Sequence, residues 1–284
     1  MILVTGATGN VGAELVSQLV SCGTPLRVLT RNHTGPTLPT TVESFQGDLD
    51  QPETLRNALN SVRSVFLLGT SRDMPGVISE LRRARVEHVT LLSSRSVIGG
   101  HESNTIVRMW MLSEATVRSS GLSWTILQPS SFMSNTLRWS PQLRTGDTIR
   151  VPFSRVPIAL IDPLDIAAVA AVSLKSESLA GKSYVLSGPE ALLPEEQVQI
   201  LARITGRPLV FQEQSDPEAR AELRNLFPED FVEAMFRFYV EGEFDDSDVV
   251  QTVAQITGRP ARRFEDWARS HSDLFQHPRA PKKE

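Results

Sequence analysis

Val4-Thr5-Gly6-Ala7-Thr8-Gly9-Asn10-Val11-Gly12 follows the apolar run Met1-Ile2-Leu3-Val4. It leads into a segment in which Val11, Leu15, Val16, Leu19 and Val20 share one helical face. A buried strand that turns into an amphipathic helix is the context that gives three glycines at this spacing a meaning. Gly6 permits the sharp turn, Gly9 lets backbone approach an anion with no Cβ in the way, and Gly12 lets the helix lie close on the sheet. The free N–H groups and partial positive charge at the start of that helix suit a pyrophosphate. Thr5, Gly6, Thr8, Gly9, Asn10, Val11 and Gly12 are thus the candidate cradle of a dinucleotide, and Gly23 closes the helix.

Outward from this stretch, strand and helix signals alternate as βαβ units require. Strands are predicted at 26–30, 42–46, 65–68, 88–92 and 123–127, and helices at 52–59, 76–85 and 105–120, with a Gly/Pro/Thr-rich loop over 32–41. The fold class this predicts is α/β: a doubly wound parallel (Rossmann) sheet with its crevice at the carboxyl ends of the strands. After Gln128-Pro129 the rhythm changes. Strand-like pieces at 157–161 and 183–186 frame a helix at 164–174, and the chain beyond Gly188-Pro189 is helical and more charged. The division predicted is a dinucleotide-binding domain over 1–130 and a smaller, mostly helical lobe over 131–284, part of 157–190 returning to the sheet. Ile204-Thr205-Gly206-Arg207-Pro208 recurs as Ile256-Thr257-Gly258-Arg259-Pro260, and both read as a helix stop with glycine just past the end. The tail 277–284 reads as frayed.

With 40% hydrophobic and 22% charged residues and a net charge of −4 at pH 7, the 284-residue chain offers no field that favours nucleic acid or anionic membrane. Its one cysteine, Cys22, excludes an internal disulfide and reads as a small buried apolar group. No apolar run spans a bilayer and the first strand leaves no room for a signal peptide, so the expected location is cytoplasmic. No metal is expected.

Arg31 follows the second strand, where a dinucleotide fold meets the adenosine ribose. A carboxylate there would favour NAD(H); Leu29-Thr30-Arg31-Asn32 has none, and an arginine pairs with a 2′-phosphate, so the expected cofactor is NADP(H). Asp48, with Leu49 beside it, is placed to accept from the adenine amino group. Gly69-Thr70 and Ser93-Ser94 end the fourth and fifth strands, where nicotinamide ribose and substrate converge. Met109, Trp110, Trp124, Phe132, Met133 and Trp139 suggest a cleft for a flat apolar, aromatic small molecule. Phe227, Phe231, Phe236 and Phe238 are read as core, a roof over that cleft, or a homodimer contact.

The chain resembles the atypical short-chain dehydrogenase/reductases, specifically the NmrA-like and NAD(P)H-azoreductase-like group. Beyond the glycine turn, the likeness is carried by Gly47-Asp48-Leu49, Ser93-Ser94, Glu114 with Ser120 to Leu127, Pro129, Phe132-Met133-Ser134-Asn135, Asp165-Ile166-Ala167, Gly181-Lys182-Ser183-Tyr184 and Ser187-Gly188-Pro189. The resemblance implies that Gly6, Gly9, Gly12 and Arg31 hold phosphates and Asp48 adenine. It puts Gly69 and Ser93 beside the nicotinamide, and Pro129, Ser131 and Phe132 on the loop that lines it.

Two departures bear on chemistry. The Tyr-x-x-x-Lys proton relay of the wider superfamily is replaced by Val107 and Met111, and the two tyrosines, Tyr184 and Tyr239, lie far along the chain. The arginine frequent before Pro129 is replaced by Gln128, which reads as a cation lost from the substrate mouth. Without the relay, the hydride acceptor must tolerate negative charge, as a quinone, an azo bond or an extended conjugated carbonyl does. Ser94, His101 and Arg108 are the candidate catalytic side chains, with Arg95 beside them; an unperturbed histidine titrates near 6.5, which suits a proton donor. The expected function is NADPH-dependent reduction of a flat conjugated molecule such as a quinone, an azo compound or a polyketide intermediate. The alternatives are a non-enzymatic NADP(H) sensor and a natural-product cyclase or isomerase.

Overall fold

In the computed structural model, which describes residues 1–31 and 42–276, the opening apolar run becomes the centre of a parallel sheet. β1 (Ile2–Thr5) passes through the glycine turn into α1 (Asn10–Ser21), then β2 (Leu26–Thr30), β3 (Glu43–Gln46), β4 (Ser64–Leu68), α2 (Met74–Arg83) and β5 (His88–Leu92). α3 (Thr105–Arg118), β6 (Ser123–Pro129), α4 (Ser140–Leu143), β7 (Thr148–Val151), α5 (Pro163–Lys175) and β8 (Lys182–Leu186) follow. The chain ends with α6 (Pro194–Thr205), β9 (Val210–Glu213), α7 (Asp216–Leu223), α8 (Glu229–Tyr239), α9 (Thr252–Thr257) and α10 (Phe264–Ser270). Seven strands form the sheet in the order β3-β2-β1-β4-β5-β6-β8, all parallel, while β7 and β9 pair in a separate two-stranded sheet. Val4 lies between Val28 of β2 and Phe66 of β4, so the chain reverses its direction of growth at β1 and opens a crevice at the carboxyl ends there.

Alternation along β1 sends Ile2 and Val4 to one face and Leu3 to the other. Ile2 and Val4 pack with Leu15 and Leu19 of α1 and Ile166, Val169 and Ala170 of α5. Leu3 packs with Leu55, Leu59, Val77, Leu81 and Val117 beneath α2 and α3. A third core joins the lobe around Trp139, Trp267, Phe264 and Phe275. Both Gly206 and Gly258 are left-handed helix ends, with φ of 68° and 73°.

Three expectations are corrected, and one element is new. Residues 52–59 are not an α-helix: a 3-10 turn over Pro52–Leu55 gives way to turns with one i→i−4 bond, Leu59 N–H to the Leu55 carbonyl at 3.1 Å, because so short a segment is held chiefly by burial of Leu55, Ala58 and Leu59. Residues 157–161 do not form a strand; among the described residues no strand runs beside them, and single bridges tie Ile158 to Leu192 and Ile161 to Phe132. Cys22 is exposed, because it caps α1 past the last residue of the sheet-facing stripe. The pair β7 and β9 was not anticipated; strands of four residues sixty apart leave little local signal. The loop 32–41 and the tail 277–284 lie outside the described residues.

Candidate cofactor and substrate site

At the carboxyl ends of β1, β2 and β4 lies a cavity of about 560 Å³. Of the predicted cofactor residues it brings together Thr5, Gly6, Thr8, Gly9, Asn10, Val11, Gly12, Arg31, Asp48, Leu49, Thr70 and Phe132. Sequence reasoning missed Thr30, Asp50, Ser71 and Leu92, which line it as well. Thr30 Oγ1 is buried there without a hydrogen-bond partner among the described residues.

The glycines are required by geometry. Gly6 has φ +62°, and a Cβ on Gly12 would lie 2.1 Å from the Gly6 carbonyl oxygen. Gly9 caps α1 in extended backbone, no side chain caps the helix, and its first turn holds no acid, so the leading N–H groups face the cavity uncompensated. A bare cradle of this form fits a dinucleotide pyrophosphate. Thr5 is buried and its hydroxyl bridges β1 to β4, donating to the Phe66 carbonyl at 2.9 Å and accepting from Leu68 N–H at 3.1 Å.

Two predicted contacts sit behind this cavity. Gly69 donates its N–H to the Leu92 carbonyl at 3.1 Å and accepts from Ser113 Oγ at 2.7 Å, and a Cβ there would press on Trp110 at 2.9 Å. Ser93 is buried and donates to Glu114 Oε1 at 2.6 Å. Gln128 donates to the same oxygen at 2.8 Å, and Glu114 Oε2 pairs with Arg118 at 3.0 Å. Gln128 therefore belongs to a buried polar network and does not face the substrate mouth.

A second cavity of about 340 Å³ opens beside the first, between the ends of β5 and β6 and the lobe. Pro129 and Ser131 line it, along with Ser94, Trp139, Phe153, Phe227, Met235, Phe238, Tyr239 and Asp246. The loop after β6 thus serves both spaces, Phe132 one and Ser131 the other. Of the apolar and aromatic residues expected at the mouth, Met133 is core and Trp124 packs under the Arg118 guanidinium, 4.7 Å from its ring centroid. Phe236 is core too, whereas Phe227 and Phe238 wall the cavity.

The candidate catalytic residues separate. Ser94 lines the second cavity, its Oγ 3.0 Å from Ser96 Oγ. His101 and Arg108 do not reach it: both are exposed, one in the loop before α3 and the other on that helix's outer face. The inner face carries Val107, buried against Phe238 and Phe244, so the lobe fills the place of the missing relay with apolar side chains. Arg95 is a clamp, buried and donating to the Asp248 carbonyl at 2.6 Å and carboxylate at 3.1 Å, with Asp246 4.0 Å away. Asp246 accepts from Ser131 N–H at 2.9 Å, and burial pushes its carboxyl above the usual range.

Tyr239, which the sequence leaves remote, comes back to the site from α8. Its hydroxyl lies 3.5 Å from Ser131 Oγ, across 108 residues of sequence, and burial holds the phenol above its ordinary value, hence protonated. No signal of spacing could have found it; only the packing of α8 on α3 brings it there.

A family profile described as NAD(P)H-binding matches residues 6–176. The chain belongs to that family. The chain is 39% identical over 280 residues to a (4-alkanoyl-5-oxo-2,5-dihydrofuran-3-yl)methyl phosphate reductase of Streptomyces griseus, covering 97% of this chain and 99% of that one. It is 30% identical over 291 residues to an NAD(P)H azoreductase of Xenophilus azovorans, with 97% and 99% covered. In fold it is similar to an NADPH-dependent quinone oxidoreductase of Escherichia coli, with a TM-score of 0.78 at 24% identity over 97% of this chain and 100% of that one. These relatives place it among the atypical short-chain dehydrogenase/reductases of the NmrA-like, azoreductase-like group, as an NAD(P)H-dependent oxidoreductase. Among the described residues no helix is long and apolar enough to cross a membrane.

Proposed function

We propose that the protein is an NADPH-dependent reductase of a conjugated carbonyl compound, with the first cavity holding the dinucleotide and the second the acceptor. The observation that carries this reading is the Pro129–Phe132 loop, whose adjacent residues Ser131 and Phe132 line the two cavities, so that ligands in both would meet at one strand end. Arg31, at the rim by β2, supports the 2′-phosphorylated cofactor. When bound, that cofactor supplies the hydride. Conjugation lets the acceptor carry the resulting negative charge onto its carbonyl oxygen. The proton that completes the reduction is held at Tyr239 Oη and passed directly or through Ser131 Oγ, a route that replaces the absent relay. Ser94 Oγ is the second donor toward that oxygen. The relative from Streptomyces griseus acts, by its name, on a dihydrofuranone carrying an alkanoyl group, which is a conjugated carbonyl of this kind.

The test is nicotinamide absorbance with NADPH and three acceptors: an alkanoyl-dihydrofuranone phosphate, a quinone, and a saturated ketone. Oxidation with the conjugated acceptors and none with the ketone is expected. Silence with both conjugated acceptors, or equal turnover of the ketone, would overturn the reading.

A further inference from the structure

Phe153 follows β7 with φ +56°, in the left-handed region that glycine enters freely and a bulky side chain enters at a cost. Among the described non-glycine residues with positive φ, the others are Ser61 and Arg85, and Phe153 alone is aromatic. Its turn is tied down on both flanks. The Val151 carbonyl accepts from Gln214 N–H at 3.0 Å, the Phe153 carbonyl from Val156 N–H at 3.3 Å, and Ser154 Oγ donates to Glu213 Oε1 at 2.7 Å. A turn of this conformation ordinarily takes glycine, so a ring kept there against the cost points to a role for the ring.

That ring lines the second cavity. Its centroid is 5.0 Å from that of Phe236, edge-on, and 5.1 Å from that of Tyr239. Tyr239 Oη is in turn 3.5 Å from Ser131 Oγ, so Ser131, Tyr239 and Phe153 follow one another from the sheet side of the cavity toward the lobe. Beside Phe153 the lobe side is apolar, with Val151, Pro152, Leu223, Phe227 and Met235. The polar side chains that border it are engaged or turned to water: Gln197 donates to the Leu192 carbonyl at 3.2 Å and Thr136 to the Met133 carbonyl at 2.7 Å, while Asn135 and Arg138 are exposed.

We propose that Phe153 sets how long a hydrocarbon substituent the substrate cavity admits. A carbonyl held at the Ser131 and Tyr239 hydroxyls sends its apolar substituent toward the lobe, along the Phe153 ring, and the tied-down turn keeps that ring from backing away. Chains that reach as far as the ring gain affinity by burial; longer ones must displace it. This rests on the reading of the second cavity as the substrate site and adds the gauge that selects within it.

The test needs no turnover. The enzyme is saturated with NADP⁺ and titrated calorimetrically with alkyl phenyl ketones from butyrophenone to decanophenone. Parent affinity should rise roughly fourfold per methylene and then break off at one chain length. In Phe153→Gly, where the turn keeps its conformation without the ring, the break should move to longer chains, and in Phe153→Trp to shorter ones. Phe153→Trp alone decides if the glycine variant does not fold. An unmoved break in either folded variant, a parent affinity that ignores chain length or rises without a break, or no saturable ketone binding by the parent enzyme would each overturn the proposal. A break that moves as described, in an enzyme that oxidises no NADPH with any conjugated acceptor, would keep this gauge and sink the reductase reading instead.

Discussion

Replacing Gly12 by alanine tests the cradle at its tightest point. The added methyl carbon would fall 2.1 Å from the Gly6 carbonyl oxygen, 2.7 Å from its carbon and 2.9 Å from Ala7 Cα. All three are backbone atoms, so no rotamer relieves the clash. Bringing the closest contact to the 3.0 Å floor from 2.1 Å requires a separation of at least 0.9 Å between α1 and the turn. The Leu68 side chain is packed against Gly6, its nearest carbon 2.4 Å from where a Cβ would stand there, so the turn is crowded as well. Overpacking of this kind costs about 1–3 kcal/mol of stability. It also carries the leading N–H groups of α1 away from the anion, stretching a ~2.9 Å hydrogen bond to ~3.8 Å, which no longer counts as one. Loss of a single charge-assisted bond of ~1.5–3 kcal/mol lowers NADPH affinity roughly tenfold to hundredfold. The assay is titration of NADPH fluorescence alongside thermal unfolding. Gly9→Ala is the control, because its methyl carbon would sit 3.3 Å from the same oxygen and face the cavity. It should leave unfolding almost unchanged while weakening NADPH. Wild-type affinity and unfolding temperature in Gly12→Ala would show that the close approach of helix and turn is not what builds the site.

Three further outcomes are expected. Arg31→Ala should weaken NADP(H) by the loss of a charge-assisted contact of about 1.5–3 kcal/mol and leave NAD(H) nearly unaffected; equal weakening in parallel titrations would show that Arg31 does not read the 2′-phosphate. Tyr239→Phe should lower kcat by about 10²-fold while NADPH affinity stays at the parent value, and single-turnover kinetics at parent speed would remove Tyr239 from the proton path. His88 is buried at the start of β5, its ring 3.0 Å from Ser123 Oγ and 3.3 Å from both Ser173 Oγ and Thr125 Oγ1, and burial keeps it below the usual 6.5. A depressed folded value means that stability is full above 6.5 and declines as pH falls through the folded value; urea midpoints on either side of 6.5 should show this slope, and His88→Asn should flatten it.

The sequence by itself determined the sheet and the cofactor cradle, because both are written in local periodicity. Residues 1–23 carry strand, turn and helix in a row, and the spacing of Gly6, Gly9 and Gly12 has meaning within a single turn of backbone. Arg31 and Asp48 were legible for the same reason, since each follows a strand whose end must face the crevice. The acceptor side was not. His101 and Arg108 lie near the strand ends in sequence, yet α3 turns its apolar face with Val107 inward and leaves them in water. Tyr239 and Asp246 come from more than one hundred residues beyond Ser131. Only tertiary packing decides which distant side chains share a cavity and which charges find partners. The driving force for that packing is burial of apolar surface such as Phe238 and Phe244 on α3, which does not depend on where the polar groups between them stand in the chain.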